Sequence, residues 1–167
     1  MNDRLTQSDL DKMQEEIDHR KLVLRPQLLV DVKDARAHGD LSENFEYKAA
    51  KKAKNQNESR IRYLEKMIKT AHVIEDTSAD DEVGINNQVT VWFEEDQEEE
   101  TYKIVTTVRG DSLNNLISIE SPLGKALMHH KEGDRVEVKV NETVSYFVKI
   151  IKIDNNKDDS EDRIRSY

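Results

Sequence analysis

The stretch that decides the fold is RPQLLVDVKDARAHGDLSENFEYKAAKKAKNQNESRIRYLEKMI, which runs from residue 25 to residue 68. Its apolar side chains recur every three, four or seven residues on both sides of one glycine, Gly39. Such spacing is typical of two amphipathic helices that pack along a shared seam. With the residues upstream and downstream, the two seams are Leu10, Met13, Ile17, Leu24, Leu28, Val32 and Tyr47, Ala50, Lys54, Asn57, Ile61, Leu64, Ile68, Ala71. The stretch predicts an antiparallel coiled-coil hairpin with its tip at residues 38–44.

Two features interrupt the seams. Pro26 removes a backbone hydrogen bond inside the first helix, so we expect the helix to bend or restart there. Lys54 and Asn57 place polar side chains in the middle of the second seam. We expect these two residues to weaken the seam without ending the hairpin.

Outside the hairpin, composition and charge predict a second domain. Only 35% of the 167 residues are hydrophobic and 37% are charged, which is too few apolar side chains for one large core. Residues 1–75 carry a net charge of +1, whereas residues 76–167 carry −10. We therefore predict a hairpin domain at 1–75, a linker at 76–84, a domain at 85–154 and a flexible tail at 155–167.

The second domain has the pattern of a sheet with one short helix. β-branched and aromatic residues are concentrated in five short runs, which we predict to be strands. These runs are 88–93, 102–108, 116–120, 135–140 and 144–153. Between the third and fourth runs, Ser121 is the expected N-cap and Pro122 the first residue of a helix that reaches His129. The predicted fold class is α+β: a helical hairpin plus an antiparallel sheet with one short helix.

Composition also excludes several classes of function. The chain has no cysteine, so disulfide frameworks, thiolate metal sites and thiol nucleophiles are excluded. No run of apolar residues is long enough for a membrane span or a signal peptide, so we expect a soluble cytoplasmic protein. The net charge of −9 argues against a protein that coats nucleic acid along its whole surface.

The predicted tip allows two interpretations. Gly39 can end the first helix, Asp40 can cap the second, and Glu43 three residues later can complete a capping box. Alternatively, Asp40, Glu43 and Glu46 form a carboxylate cluster of the kind that supplies one or two ligands to Mg²⁺. The spacing is compatible with both interpretations.

Two motifs resemble those of the bacterial transcript cleavage factors GreA and GreB. Gly39–Asn44 reads GDLSEN and is followed by Glu46-Tyr47, which matches the tip motif of that family. Ser121-Pro122 with Ala126-Leu127, followed by an EGD turn at 132–134, matches its second motif. The resemblance extends over about residues 5 to 153 and implies a coiled-coil hairpin followed by an FKBP-like domain.

The resemblance implies a protein that acts on RNA polymerase. In the family, the hairpin enters the secondary channel, and two acidic tip residues help to hold Mg²⁺ while the polymerase cleaves the 3′ end of backtracked nascent RNA. By the motif these residues are Asp40 and Glu43, with Gly39, Ser42, Asn44 and Tyr47 shaping the tip. The metal is shared with the polymerase, and the isolated protein is expected to bind none and not to be an enzyme itself. We expect the free protein to be monomeric, with neither a membrane nor a small-molecule substrate as partner.

The resemblance also suggests two further contact regions. An RNA-binding patch maps onto Arg36 and Lys51, and the sequence adds Lys48, Lys52 and Lys54 within two helical turns. A solvated helix face is an equally good interpretation of Lys48, Lys52 and Lys54. The region around Ser121, Pro122, Gly133 and Asp134 is expected to bind the polymerase.

Three alternatives to a cleavage factor are open at this point. Phe45, a large residue where the family commonly has Ala, and the acidic run 94–100 are compatible with a channel binder that modulates the polymerase without cleavage. A prolyl isomerase is suggested only by the implied FKBP-like domain, and the chain has few aromatic residues to build its pocket. An adaptor that acts through the coiled coil alone is the third.

Overall fold

The computed structural model describes residues 2–38 and 44–166. The chain divides into two units, one of Met1–Asp3 and Ser8–His72 and the other of Arg4–Gln7 and Val73–Tyr167. The helical elements of the first unit are α1 (Gln7–His19), a π-helical turn (Arg20–Leu24), α2 (Arg25–Arg36) and α3 (Phe45–Thr70). Two short strands, β1 (Arg4–Leu5) and β2 (His72–Val73), pair with each other.

The helical hairpin predicted from the two seams is confirmed. Met13 and Ile17 of α1 are buried, as are Ile61, Leu64 and Met67 of α3. Met13, Ile17, Ile61 and Leu64 are predicted seam positions, because spacings of three, four and seven return a side chain to the same face of a helix. Met67 is buried in place of the predicted seam residue Ile68, which is half-buried. Most other positions of these helices are exposed, which explains the high proportion of charged residues in this part of the chain.

The interruption expected at Pro26 takes the form of a π-helical turn. The Arg25 N–H donates to the carbonyl of Arg20, five residues earlier, and α2 then begins with Pro26 at its second position. Pro26 lies inside a continuous run of helical residues, where it has no N–H to donate and its ring crowds the preceding turn, and the local widening to a π-helical turn accommodates both effects. The helix therefore continues past Pro26 after a local change of helical type.

A polar layer occupies the middle of the hairpin seam. Asn57 and Arg60 are only 4% and 6% exposed. The Asn57 side chain accepts a hydrogen bond from Arg20 Nη1 at 2.9 Å and donates to the Arg20 carbonyl at 3.3 Å. Glu16 accepts hydrogen bonds from Arg20 and Arg60, both at 2.8 Å. The polar interruption predicted at Asn57 is thus satisfied by partners on the facing helix.

Glu16 makes the stability of the hairpin dependent on pH. Burial raises the pKa of this carboxyl, but the hydrogen bonds from Arg60 and Arg20 outweigh burial and leave the pKa below 4.5. A carboxylate with a lowered pKa contributes stability above its unfolded-state pKa, and the contribution is lost as the pH falls through the folded-state pKa. We expect Glu16→Gln to lower the free energy of unfolding at neutral pH, with a deficit that shrinks below about pH 4.5.

Denaturant unfolding followed by circular dichroism at several pH values measures this deficit. Glu15→Gln is the matched control, because Glu15 is exposed on the same helix. A deficit for Glu16→Gln that is independent of pH would contradict the expectation.

The second unit contains a five-stranded sheet and one short helix, so the predicted α+β class is confirmed. Its elements are β3 (Gln88–Phe93), β4 (Glu98–Val105), β5 (Leu116–Ser118), α4 (Pro122–Leu127), β6 (Arg135–Lys139) and β7 (Ser145–Asp154). The strand order is β5-β4-β3-β7-β6, and β3 pairs antiparallel with both β4 and β7, as does β6 with β7.

One strand pairing differs from the predicted antiparallel sheet. β5 pairs parallel with β4, so the sheet is mixed. The connection between them contains two 3₁₀ turns, Thr107–Arg109 and Ser112–Asn114. Parallel neighbours need a connection long enough to return the chain to the starting end of the first strand, and these turns provide it. A short apolar strand gives no sequence signal for its direction.

The core of this unit is lined by one face of the sheet and by α4. Its fully buried members include Val89, Ile104, Leu127 and Val148. Val83 also belongs to this core, although it falls within the predicted linker 76–84. α4 ends at Leu127, two residues before the predicted end.

Residues within 155–166, predicted to form a flexible tail, make several contacts with the rest of the second unit. Asp162 accepts hydrogen bonds from Lys103 Nζ at 3.0 Å and from Arg109 Nη1 at 2.7 Å. The Arg109 side chain is fully buried and that of Asp162 is 8% exposed. The Arg165 N–H donates to a carbonyl of the first 3₁₀ turn at 2.7 Å. The tail is held because its carboxylate neutralises a buried guanidinium from a distant part of the sequence.

Across residues 2–38 and 44–166, no helix has the length and apolar character needed to cross a membrane.

Candidate functional site

Asn44 connects the end of α2 with the start of α3. Its side-chain oxygen accepts a hydrogen bond from the Tyr47 N–H at 2.9 Å, which is the geometry of an N-cap. Its side-chain nitrogen donates to the Ala35 carbonyl at 2.7 Å. The N-cap predicted at Asp40 therefore lies at Asn44 in the described helix. One side chain thus holds together the two chain segments that flank the tip.

Four of the predicted tip residues lie outside the described residues. They are Gly39, Asp40, Ser42 and Glu43. The metal-binding role of Asp40 and Glu43 therefore stays a prediction. The flanking residues His38 and Asn44 belong to the described part, and Asn44 is the direct neighbour of Glu43 in the chain.

Glu46, the third carboxylate of the predicted cluster, lies beside a histidine. Its Oε2 is 3.6 Å from His38 Nδ1, and both side chains are largely exposed. The two residues can form an ion pair when the imidazole is protonated. Among the described residues, no group of three or more His, Asp or Glu side chains is arranged to hold a metal ion.

Arg36 and Tyr47 form a cationic site at the tip end of the hairpin. Arg36 Nη2 donates to the Tyr47 hydroxyl at 3.2 Å, and the guanidinium carbon lies 5.5 Å from the ring centroid. The hydrogen bond from Arg36, with the positive charges of Lys51 and Lys54, lowers the pKa of the Tyr47 hydroxyl. Arg36 and Lys51, both predicted to bind RNA, thus lie on the same side of the hairpin, around Tyr47.

The other two predicted cations lie on a different face of α3. At about 100° per residue, Phe45, Lys48 and Lys52 lie within about 60° of one another, and so do Tyr47, Lys51 and Lys54. About 120° separates the two groups by the same rotation. Lys48 and Lys52 are exposed, and Lys48 Nζ lies 5.8 Å from the centroid of the Phe45 ring. The lysine cluster of the sequence is thus divided into two faces, which the spacing of the residues could have indicated.

In the second unit, Ser121 begins α4 as predicted. Its hydroxyl accepts a hydrogen bond from the Gly124 N–H at 3.0 Å, and Pro122 is the first helical residue. Any residue other than glycine would clash at position 124, because its Cβ would lie 1.9 Å from the carbonyl oxygen of Ser118. The Ser121–Pro122 motif therefore has a clear structural role at the start of α4.

Gly133 and Asp134 form the turn before β6. Gly133 has a positive φ of 89°, a conformation that favours glycine. Its N–H donates a hydrogen bond to the carbonyl oxygen of Ile150 in β7 at 2.7 Å. The Asp134 carboxylate accepts the Lys131 N–H at 2.9 Å, and this bond together with His130 lowers the pKa of Asp134. Because α4 packs against β6, the two motifs lie on adjacent elements of the same unit.

A cavity of about 270 Å³ lies beside α4 in this unit. Isoleucine and methionine side chains form the apolar part of its lining, and charged side chains form another part. The lining includes Arg4, Ile74, Glu75, Asp76, Thr77, Ile85, Ile119, Lys125, Met128 and His129. None of these lining residues is Phe, Tyr or Trp.

The fold and the tip define a protein that combines a helical hairpin with a mixed-sheet unit. Family models described as transcription elongation factor, N-terminal, and transcription elongation factor, GreA/GreB, C-terminal, match residues 4–73 and 78–155. The chain therefore belongs to the GreA/GreB family of transcription elongation factors.

Two bacterial GreA proteins are similar to most of the chain. Transcription elongation factor GreA of Macrococcus caseolyticus is 42% identical over 149 residues, which cover 89% of this chain and 94% of the relative. The GreA of Thermoanaerobacter pseudethanolicus is 45% identical over 137 residues, which cover 81% and 87%. The crystal structure of GreA factor homolog 1 (Gfh1) of Thermus thermophilus matches with 20% identity and a TM-score of 0.43, over 92% of this chain and 99% of that one.

Proposed function

We propose that this protein is a transcription elongation factor that binds RNA polymerase and stimulates the polymerase's own cleavage of backtracked RNA. The observation that carries the proposal is the end of the hairpin, where Asn44 joins α2 to α3 on either side of Asp40 and Glu43. Family membership and relatives named GreA at about 40% identity support the same function. The protein supplies side chains to the polymerase and is not a nuclease alone.

In the proposed complex, the tip of the hairpin enters the secondary channel while the second unit binds the polymerase surface. Ser121, Pro122, Gly133 and Asp134 are the proposed contact region of that unit. Arg36 and Lys51 contact phosphates near the 3′ end of the nascent RNA, because phosphate oxygens attract such side chains without regard to base sequence. The protein acts as a monomer in the bacterial cytoplasm, where it associates with the nucleoid through the polymerase.

Asp40 and Glu43 are the residues proposed to hold Mg²⁺ together with the polymerase. Carboxylates are the hard oxygen ligands that this ion prefers, and it takes only one or two of them when other molecules supply its remaining ligands. The family motif assigns this role to Asp40 and Glu43, and Glu46 lies beside His38. When bound, the ion polarises phosphoryl oxygens and lowers the pKa of a coordinated water. Asp40 and Glu43 contribute negative charge to the ion, and Arg36 and Lys51 orient the RNA.

A cleavage assay on stalled complexes tests the proposed function. Backtracked elongation complexes with end-labelled RNA and Mg²⁺ are incubated with and without the protein, and the release of 3′ fragments is followed with time. We expect faster release with the protein than with buffer. Slower nucleotide addition without cleavage would instead indicate a channel binder that modulates the polymerase, and no effect on either reaction would leave the proposal without support.

A further inference from the structure

We propose that Phe45 stacks against an unpaired base of the extruded RNA, while Lys48 and Lys52 contact the adjacent phosphates. The inference rests on the proposed function and assigns an RNA contact to a face of α3 that lies away from Arg36 and Tyr47. The ligand is single-stranded RNA, recognised by one aromatic ring and two ammonium groups.

The exposure of Phe45 is the first observation. This side chain is 80% exposed at the first position of α3. By contrast, Phe93, Tyr102 and Tyr146 pack against the core of the second unit. A single exposed apolar residue is common on protein surfaces, so the neighbours of Phe45 decide whether the ring has a role.

Those neighbours are cationic. Lys48 and Lys52 follow Phe45 by three and seven residues, which places all three on one exposed line along the helix. Lys48 Nζ lies 5.8 Å from the ring centroid, within the range of a cation–π contact. Most of the ring surface is left open to a ligand.

In the described stretch of α3 from residue 45 to 59, no acidic residue lies on this face. Over residues 45–59, all of which are described, the remaining positions on this face are Ala49, Asn55, Gln56 and Ser59. The acidic residues of this part of α3 lie on other faces of the helix. Glu46 lies beside His38, and Glu58 Oε1 is 2.7 Å from Arg25 Nε. The face is therefore electrostatically complementary to a phosphate backbone.

An aromatic ring beside a row of cations is the combination by which proteins bind single strands. Stacking on an aromatic side chain accepts any base, since every base has a π-face, while the cations follow the backbone. At about 1.5 Å per residue, Lys48 and Lys52 lie about 4.5 and 10.5 Å along the axis from Phe45. Two phosphates next to a stacked base fall within reach of such flexible side chains.

The experiment tests whether the contribution of the Phe45 ring to RNA binding requires a base on the RNA. Backtracked complexes are assembled with synthetic RNA whose extruded 3′ segment carries either purines or abasic residues. The concentration of protein that gives half of the maximal cleavage rate is then measured for wild type, Phe45→Leu and Phe45→Trp. Leucine keeps the apolar character without the ring, and tryptophan keeps an aromatic ring. Because Phe45 is exposed, both variants are expected to fold, which circular dichroism checks.

With purine RNA, we expect Phe45→Leu to raise the half-maximal concentration about tenfold and Phe45→Trp to leave it equal or lower, given the usual contribution of base stacking. With abasic RNA, the difference between wild type and Phe45→Leu should disappear. Lys52→Gln should raise the half-maximal concentration with both RNAs, since it removes a phosphate contact.

Two outcomes would overturn the inference. If Phe45→Leu behaves as wild type, the ring has no role in binding. If its defect is equally large with abasic RNA, the ring contacts the polymerase and not the base. Failure of the proposed function has a different signature, since wild type would then not accelerate cleavage of the purine RNA at any concentration.

Discussion

The double substitution Asp40→Asn with Glu43→Gln is expected to lower the stimulation of transcript cleavage by about 100-fold or more. Both changes keep the size of the side chain and remove its negative charge. Loss of groups that support a catalytic metal commonly costs about 10- to 100-fold in activity, and direct ligands cost no less. The protein should still bind RNA polymerase, because the proposed contacts of the second unit are unchanged.

Glu46→Gln is the matched control for the double variant. It makes the same chemical change only a few residues away, at a carboxylate that lies beside His38. We expect Glu46→Gln to retain most of the cleavage activity. In a competition experiment, excess double variant should slow cleavage by wild type, since it occupies the polymerase. Full cleavage by the double variant would refute the proposed roles of Asp40 and Glu43.

Asp162→Asn is expected to lower the free energy of unfolding by about 3 kcal/mol, because removing one partner of a buried ion pair leaves the other charge poorly compensated. Arg109 is fully buried and its Nη1 lies 2.7 Å from the Asp162 carboxylate. Lys103 Nζ lies 3.0 Å from the same group. An asparagine at position 162 would present a neutral group to two cations.

Urea unfolding of the full chain measures this loss. Glu161→Gln is the control, because it removes the same charge from the neighbouring exposed residue. We expect the control to change stability by less than about 0.5 kcal/mol, as is usual for surface substitutions. Equal stability of the two variants would mean that the tail contributes no more than a surface charge.

Much of the fold could be predicted from local patterns. The hairpin follows from apolar spacing alone, and the start of α4 follows from the cap at Ser121. The parallel strand β5 and the packed tail could not be predicted in the same way. Each depends on contacts between distant residues, such as Asp162 with Arg109, for which a single sequence contains no periodic signal.

Only part of the candidate site could be predicted from the sequence. The motif predicted the tip residues, and helix geometry could have separated the two cationic faces. The double hydrogen bond of Asn44 could not be foreseen, because it joins the start of α3 to the Ala35 carbonyl on another helix. The exposure of Phe45 likewise depends on which face of α3 packs against the rest of the hairpin.

The polar layer at Asn57 and Arg60 fixes the register of the two helices and therefore the length of the hairpin. A purely apolar heptad seam would let one helix slide past the other by seven residues, which moves the tip by about 10 Å at about 1.5 Å per residue. Such a slip would separate Asn57 from Arg20 and Arg60 from Glu16, and leave charged groups in a dry seam. The polar layer thus allows only one register of the two helices, and a hairpin of constant length suits the proposed role, in which Asp40 and Glu43 reach a metal ion of the polymerase.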